Sequence, residues 1–385
     1  MANHIDAFSR SPRRRTLLWL TAAVVAVAAL QAQRSRAEAY PMFARRYGVS
    51  CQTCHSVVPR LNPFGERFKA AGYRWPTSGA AHPTLPLTVK SNLAYTSEPD
   101  PSGLPKGIVD ELEVLSAGPV GRDLSYHLEQ YLVDGGTPGK LRDAWVEFDG
   151  DPMRAWISGA PHGFALRAQV GQFTLPLPND PETMRPTESH YAVFDQTVGA
   201  NPFDLFNDAM GINLSLVAEG AEIHLLALAG HDPQSGLPTD GTDRMATARL
   251  GSERLSLFGY RYEGARPLGP VPDEFRRTGW AVRSTMGKSR ASALLQTGTD
   301  SSADGLGAAV ASSGGFAQEE WAFSDRLIAV VRYDGVNAGD AGAARSTTIS
   351  LVVRPYRRAR FTIEDVIVHQ PRTTHTLNLG WLFAY

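Results

Sequence analysis

The only two cysteines in the 385-residue chain lie in one pentapeptide, Cys51-Gln52-Thr53-Cys54-His55. Two thiols three positions apart, followed at once by an imidazole, are what covalent haem attachment requires: each thiol adds to a vinyl group of the porphyrin while the histidine reaches the iron. The same residues would also suit a redox dithiol or half of a zinc site. The first needs a surrounding βαβ pattern and the second needs more Cys or His nearby, and neither context is present. The spacing therefore predicts one covalent haem c, anchored by Cys51 and Cys54, with His55 as proximal ligand.

The flanking residues have to hold a flat apolar cofactor with little chain. Pro41 suits the first turn of a short helix that Gly48 ends, and Asn62 and Pro63 suit the N-cap and first turn of a second helix ended by Gly72. Phe64 and Phe68, four apart, fall on one face of that second helix and are placed to shield the porphyrin, with Leu61 and Tyr73 at its ends. Ordinary core packing asks for the same pattern, and in a segment of about 35 residues a haem would itself be most of the core. The sixth iron ligand is left open among Met42, His82, a residue from later in the chain such as His127 or His162, and no protein ligand at all.

The first 39 residues read as a secretion signal, with Arg13-Arg14-Arg15 as the basic region, Leu17 to Leu30 as the apolar region and Ala37-Glu38-Ala39 as a small-x-small cleavage site. That apolar run is short for a membrane-crossing helix, and no later segment is apolar for long enough. Formal charge is -1, with 38 Lys and Arg against 39 Asp and Glu, and no basic run follows the N-terminus, which argues against nucleic acid as a partner. Hydrolase constellations and a Gly-rich phosphate loop are absent in any local form.

From Leu85 onward the chain becomes a series of roughly ten-residue segments with period-2 alternation, the pattern of outer-membrane strands. Leu124, Tyr126 and Leu128 alternate with Ser125, His127 and Glu129; Ile212, Leu214 and Leu216 alternate with Asn213 and Ser215. The last segment sets Leu377, Leu379, Trp381, Phe383 and Tyr385 against Thr376, Asn378 and Gly380, and an alternating end with a terminal aromatic resembles the assembly signal of outer-membrane proteins. Soluble sandwiches alternate too, but here tight connections such as Glu219-Gly220, Gly251-Ser252 and Ser324-Asp325 interleave with longer polar stretches. That parity predicts an up-and-down antiparallel transmembrane barrel of about sixteen strands in contact with lipid. Residues 149–163 break the rule, being long where a turn is expected. Trp145, Tyr260, Tyr262, Trp280, Trp321 and Trp381 are candidates for the interfacial girdles. The longest loop, between Phe173 and Met210, is rich in carboxylates and reads as a solvated or in-folded constriction before a cation site. Lumen-facing positions carry both signs of charge without a dominant ring.

The residues Phe43-Ala44-Arg45-Arg46-Tyr47-Gly48-Val49-Ser50-Cys51-Gln52-Thr53-Cys54-His55 and Leu61-Asn62-Pro63-Phe64-Gly65-Glu66-Arg67-Phe68-Lys69-Ala70-Ala71-Gly72-Tyr73, set before a barrel, resemble the fused outer-membrane cytochrome-porins. That group includes the monohaem iron oxidases of iron-oxidising bacteria. The residues divide the chain into a signal peptide at 1–39, a monohaem cytochrome c domain at 40–84 and an outer-membrane β-barrel at 85–385, and the resemblance implies that the haem domain plugs the barrel from the periplasmic side. It further implies electron passage between an extracellular donor or acceptor and periplasmic c-type cytochromes or other redox carriers. With ferrous iron as donor, the activity would be that of an iron:cytochrome c oxidoreductase. The alternative from the residues is a porin for small solutes, with the haem segment as plug or redox gate.

Overall fold

The computed structural model describes residues 41–75, 85–99, 105–149, 164–180, 184–206, 208–231, 238–339, 342–369 and 373–385. The expected signal segment, and His82 and His162, lie outside the described residues. From 88 onward, sixteen antiparallel strands among the described residues form a closed barrel, each strand paired with its sequence neighbour. The first, β1 (Thr88–Pro99), closes the ring against the last, β16 (Thr374–Ala384). Among the described residues no helix is long and apolar enough to cross a membrane.

Period-2 alternation is what lets one wall face two environments. Along β3 (Leu124–Asp134), Ser125, His127 and Glu129 point inward while Leu124, Leu128 and Leu132 point out. Along β6 (Ala209–Ala218), Ile212, Leu214 and Leu216 point out and Asn213 and Ser215 point in. Repeated around the ring, this leaves a belt of exposed Leu, Val, Ile and aromatic side chains, including Leu225, Leu257, Trp280 and Leu295. So much contiguous apolar surface suits hydrocarbon and not water.

The expected parity holds: short turns at 121–123, 219–220, 252–254, 287–288 and 325–326 share one end. The long stretch between β4 (Leu141–Asp149) and β5 (Phe164–Phe173) also joins strands at that end, so it lengthens one turn without changing the strand count. The girdle assignment needs correction. Trp280 and Trp321 are exposed on the outer face, but Trp145, Tyr260 and Tyr262 are buried in the lumen.

Candidate functional site

Residues 41–75 form a compact segment of two short helices, α1 (Met42–Tyr47) and α2 (Pro63–Ala70), around the Cys-x-x-Cys-His turn. Gly48 ends α1 in the left-handed region with φ of 64°, as expected. Cys51–Thr53 is one turn of 3-10 helix, and His55–Val57 then pairs with Arg60–Leu61 in a small hairpin. Asn62 ties these parts together. Its Oδ1 accepts from the Gly65 N–H at 2.9 Å, capping α2, while its Nδ2 donates to the Gln52 and Thr53 carbonyls at 3.0 and 3.1 Å. Its own N–H donates to the Cys54 carbonyl at 2.9 Å. At Gly65 a Cβ would lie 2.1 Å from that same carbonyl oxygen, so only glycine lets α2 cross the cysteine turn so closely.

The chemistry at this turn fits a c-type haem. His55 Nδ1 lies 2.8 Å from the Pro59 carbonyl, which can only accept, so Nδ1 carries the proton and Nε2 keeps the free lone pair that a metal needs. Burial lowers the His55 pKa and keeps the ring neutral. The two thiols are unbridged; burial raises both, with Cys54 pushed up to about 12. A redox dithiol needs the opposite, a lowered thiol pKa.

Phe64 and Phe68 share one face of α2, stacked 6.4 Å apart at 10°. Phe68 meets Phe43, Tyr47, Tyr73 and Trp75 edge-on, with centroids 5.0 to 5.9 Å away. Met42 is buried in this aromatic cluster, and Cys54 and Phe64 pack against it. Cys51 instead packs with Val58, Leu382 and Ala384, the latter two from the inner face of β16. The structure thus brings Met42, Cys54, Phe64 and Phe68 into one cluster.

This segment sits within the short-turn mouth of the barrel. Arg60 pairs with Glu320 and Arg74 with Asp149, all four side chains largely buried, while Arg354 donates to the Ser56 carbonyl at 2.8 Å and Gln52 to the Arg357 carbonyl at 3.1 Å. Tyr73, at a positive φ of 61°, is held from two sides: its hydroxyl lies 2.7 Å from His127 Nδ1 and its carbonyl accepts from Tyr47 at 3.0 Å.

The loop whose described residues are 174–180, 184–206 and 208 enters from the other end and narrows the lumen. Arg332 donates to the Ser189 and His190 carbonyls at 3.2 and 2.6 Å, Arg360 pairs with Glu188 at 2.9 Å, and Asn201 donates to Asp273 at 2.7 Å. Its carboxylates are committed: Asp180 faces Lys69 at 3.6 Å, Asp195 His190 at 3.2 Å and Asp208 Arg142 at 3.6 Å. Glu182 lies outside the described residues. The loop is an in-folded constriction. One hydrophobic cluster runs from the N-terminal segment (Phe68, Tyr73) through the wall (Trp145, Phe316) to the loop (Leu175, Tyr191, Phe194). The lumen wall carries both signs as paired charges, among them Arg277–Asp300 at 2.8 Å and Arg266–Asp243 at 2.7 Å.

His127, a candidate distal haem ligand by residue type, has other neighbours in the structure. It stands beside Glu129 and Asp143, and the three offer ligand atoms within 4.8 Å of one another. Alternation places His127 and Glu129 on one inward face; what brings in Asp143 is its cross-strand register opposite Glu129.

No protein-family model and no curated protein matches the chain. Solved structures do. An anion-selective porin from Comamonas acidovorans superposes with a TM-score of 0.58 at 12% identity, over 78% of this chain and 98% of that one. OmpF of Salmonella typhi gives 0.55 at 8% identity, over 78% and 97%, and OmpT of Vibrio cholerae gives 0.53 at 8%, over 78% and 97%. At these identities the likeness is one of fold, and the fold is that of the sixteen-stranded outer-membrane porins.

Proposed function

We propose that this protein is a porin-type outer-membrane channel closed by its own N-terminal segment, which carries one haem c bonded to Cys51 and Cys54 and ligated by His55, and which gates the passage of small solutes. The observation that carries the reading is the position of residues 41–75: they occupy the short-turn mouth, periplasmic by the porin rule, through the buried Arg60–Glu320 and Arg74–Asp149 pairs. The haem is supported by the unbridged thiols, the His55 ring with Nε2 free, and the aromatic cluster beside Cys54. Bound there, haem c supplies a one-electron couple whose potential depends on axial ligation and burial. Asn62 and Gly65 hold the cysteine turn, Phe64 and Phe68 exclude water from it, and Met42, buried in the same cluster as Cys54, is the candidate for the sixth ligand within the segment.

A second reading, electron transfer across the outer membrane to periplasmic cytochromes from an extracellular donor such as ferrous iron, is favoured by the filled lumen. Aromatic rings run from Phe43 to Tyr73 at 5.0 Å and on to Trp145 at 6.3 Å.

One preparation tests both: haem-loaded protein in vesicles of known orientation, followed by haem spectrum and by solute efflux. The gating reading expects efflux that changes with the haem oxidation state. Efflux that stays at zero in both states, together with prompt haem reduction by ferrous iron added on the extracellular face, would overturn it in favour of electron transfer. A preparation without covalent haem after maturation in a haem-attaching host would remove the haem from both readings.

A further inference from the structure

The seam between the N-terminal segment and the wall gathers an imidazole and carboxylates in one buried group. His127, Glu129 and Asp143 are all buried on the inner faces of β3 and β4, and their ligand atoms lie within 4.8 Å of one another. Tyr73 Oη sits 2.7 Å from His127 Nδ1, which fixes the ring, and Nε2 faces the Glu129 carboxylate at 3.2 Å. In one neutral tautomer Tyr73 O–H donates to Nδ1 and Nε2–H to Glu129; in the other Nδ1–H donates to Tyr73 and the Nε2 lone pair is free for an ion beside the carboxylate. A second observation is independent of this trio. Glu113, on β2 (Pro105–Val120), is 1% exposed; one oxygen is paired with Lys90, while Oε2 has no hydrogen-bond partner and the carboxylate faces Glu129. An imidazole and three carboxylates gathered in a buried site concentrate negative charge that a divalent cation neutralises.

We propose that His127 Nε2 and the carboxylates of Glu129, Asp143 and Glu113 bind one divalent cation of the manganese or zinc class at the seam between Tyr73 and the wall. The mixed nitrogen and oxygen set suits such ions, and the Tyr73 hydrogen bond is the outer-shell contact that metal-bound histidines commonly make. Asp143 and Trp145 also line a cavity of about 620 Å³ bounded by Lys69 and Arg167, which gives the ion a route in. An ion here would tie the N-terminal segment to the barrel through Tyr73. The competing arrangement has no ion, with Tyr73 O–H donating to His127 Nδ1 and Nε2–H to Glu129.

The test uses the full chain purified from outer membranes in detergent, stripped with chelator and titrated with Mn²⁺ alone. Free Mn²⁺ is read by its solution EPR signal, and folding by the heat-shifted gel mobility of barrels. The expected result is one Mn²⁺ per folded chain, displaced by Zn²⁺, with affinity at least about tenfold weaker in Glu113→Gln and His127→Gln, where tenfold corresponds to ~1.4 kcal/mol. If His127→Gln fails to fold, Glu113→Gln decides, because it keeps the shape of the side chain and an oxygen for Lys90 while removing the charge that holds an ion. No stoichiometric binding by folded wild type, or binding undiminished in the folded variants, overturns the site and leaves the hydrogen-bonded Tyr73–His127–Glu129 chain without an ion.

Discussion

Replacing Arg60 by alanine should loosen the N-terminal segment from the barrel mouth, and the size of the effect can be worked from burial. The Arg60 and Glu320 side chains are 7% and 5% exposed. Without Arg60, Glu320 keeps a hydrogen bond from Gln318 but loses its counter-charge. Removing one member of such a buried pair costs about 3–5 kcal/mol. If most of that falls on the docked state, the docking equilibrium shifts by at least about 100-fold, since about 1.4 kcal/mol is a factor of ten. Arg67–Glu253 is the internal control: it joins the same two parts but is 36% and 57% exposed. An exposed pair contributes about 0–1 kcal/mol, so Arg67→Ala should shift docking by about fivefold at most. Single-channel recording in planar bilayers reads the difference. Wild type and Arg67→Ala should stay closed for nearly all of the record, and Arg60→Ala should show frequent openings. Equal open fractions in the two variants would refute the argument, because burial would then not decide how firmly the segment is held.

Cys51→Ser with Cys54→Ser should abolish haem that survives denaturing electrophoresis while leaving barrel gel mobility unchanged, and haem-specific staining checks it. Gly65→Ala forces a Cβ against the Cys54 carbonyl and should lower covalent haem yield several-fold, measured as haem absorbance per protein. Leu225→Arg, on the outer face near the middle of the seventh strand (Ala221–His231), should destabilise the barrel by about 2–4 kcal/mol in urea titrations in lipid vesicles. The in-folded loop should release in acid. Burial pulls the Glu188 pKa up, but Arg360 and hydrogen bonds from Thr362 and Asn92 outweigh it and leave it lowered. A lowered folded pKa contributes stability above the ordinary carboxylate range and loses it as pH falls through the folded value. Protease nicking of 184–206 should therefore begin only below about pH 4, the ordinary carboxylate pKa, and nicking of Arg360→Gln should begin at higher pH.

The strands were legible because outward apolar residues recur every second position, and a slip of one residue would turn a whole strand inside out. Tight turns then gave the parity. Where alternation is ambiguous, the reading failed. Trp145 stands between Ala144 and Val146, so three apolar residues in a row do not say which faces in, and it is Val146 that faces out. Tyr260 and Tyr262 alternate with Arg261, which is exposed and paired with Glu263, so at that rim the charged residue is outside and the aromatics are inside. The Asn62 cap and the two short helices were visible in local residue types. The seating of this segment in the mouth was not, because Arg60–Glu320 and Tyr73–His127 join residues 260 and 54 positions apart, and no local pattern encodes such pairs.

The two closures of the lumen differ in how much of the wall is committed to them. The loop is held by Arg332 through Thr187, Ser189 and His190, by Glu364 accepting the Glu188 and Ser189 N–H groups, and by Asn201 on Asp273. Without the loop Arg332 would keep Asp334 and Glu364 would keep Asn378, but each would lose most of its hydrogen bonds. At the opposite mouth Arg167 pairs with Glu147 and Arg249 with Glu222 within the wall, while Glu320, Asp149, Arg283 and Arg290 pair with Arg60, Arg74 and Glu66 of the N-terminal segment. These ties to the segment are side-chain ion pairs at the end of the barrel, where water takes the segment's place on its release; the loop is held through its backbone as well. Breaking one buried pair there therefore acts on the docking of the segment that carries Cys51, Cys54 and His55, and leaves the loop's own hold on the wall intact.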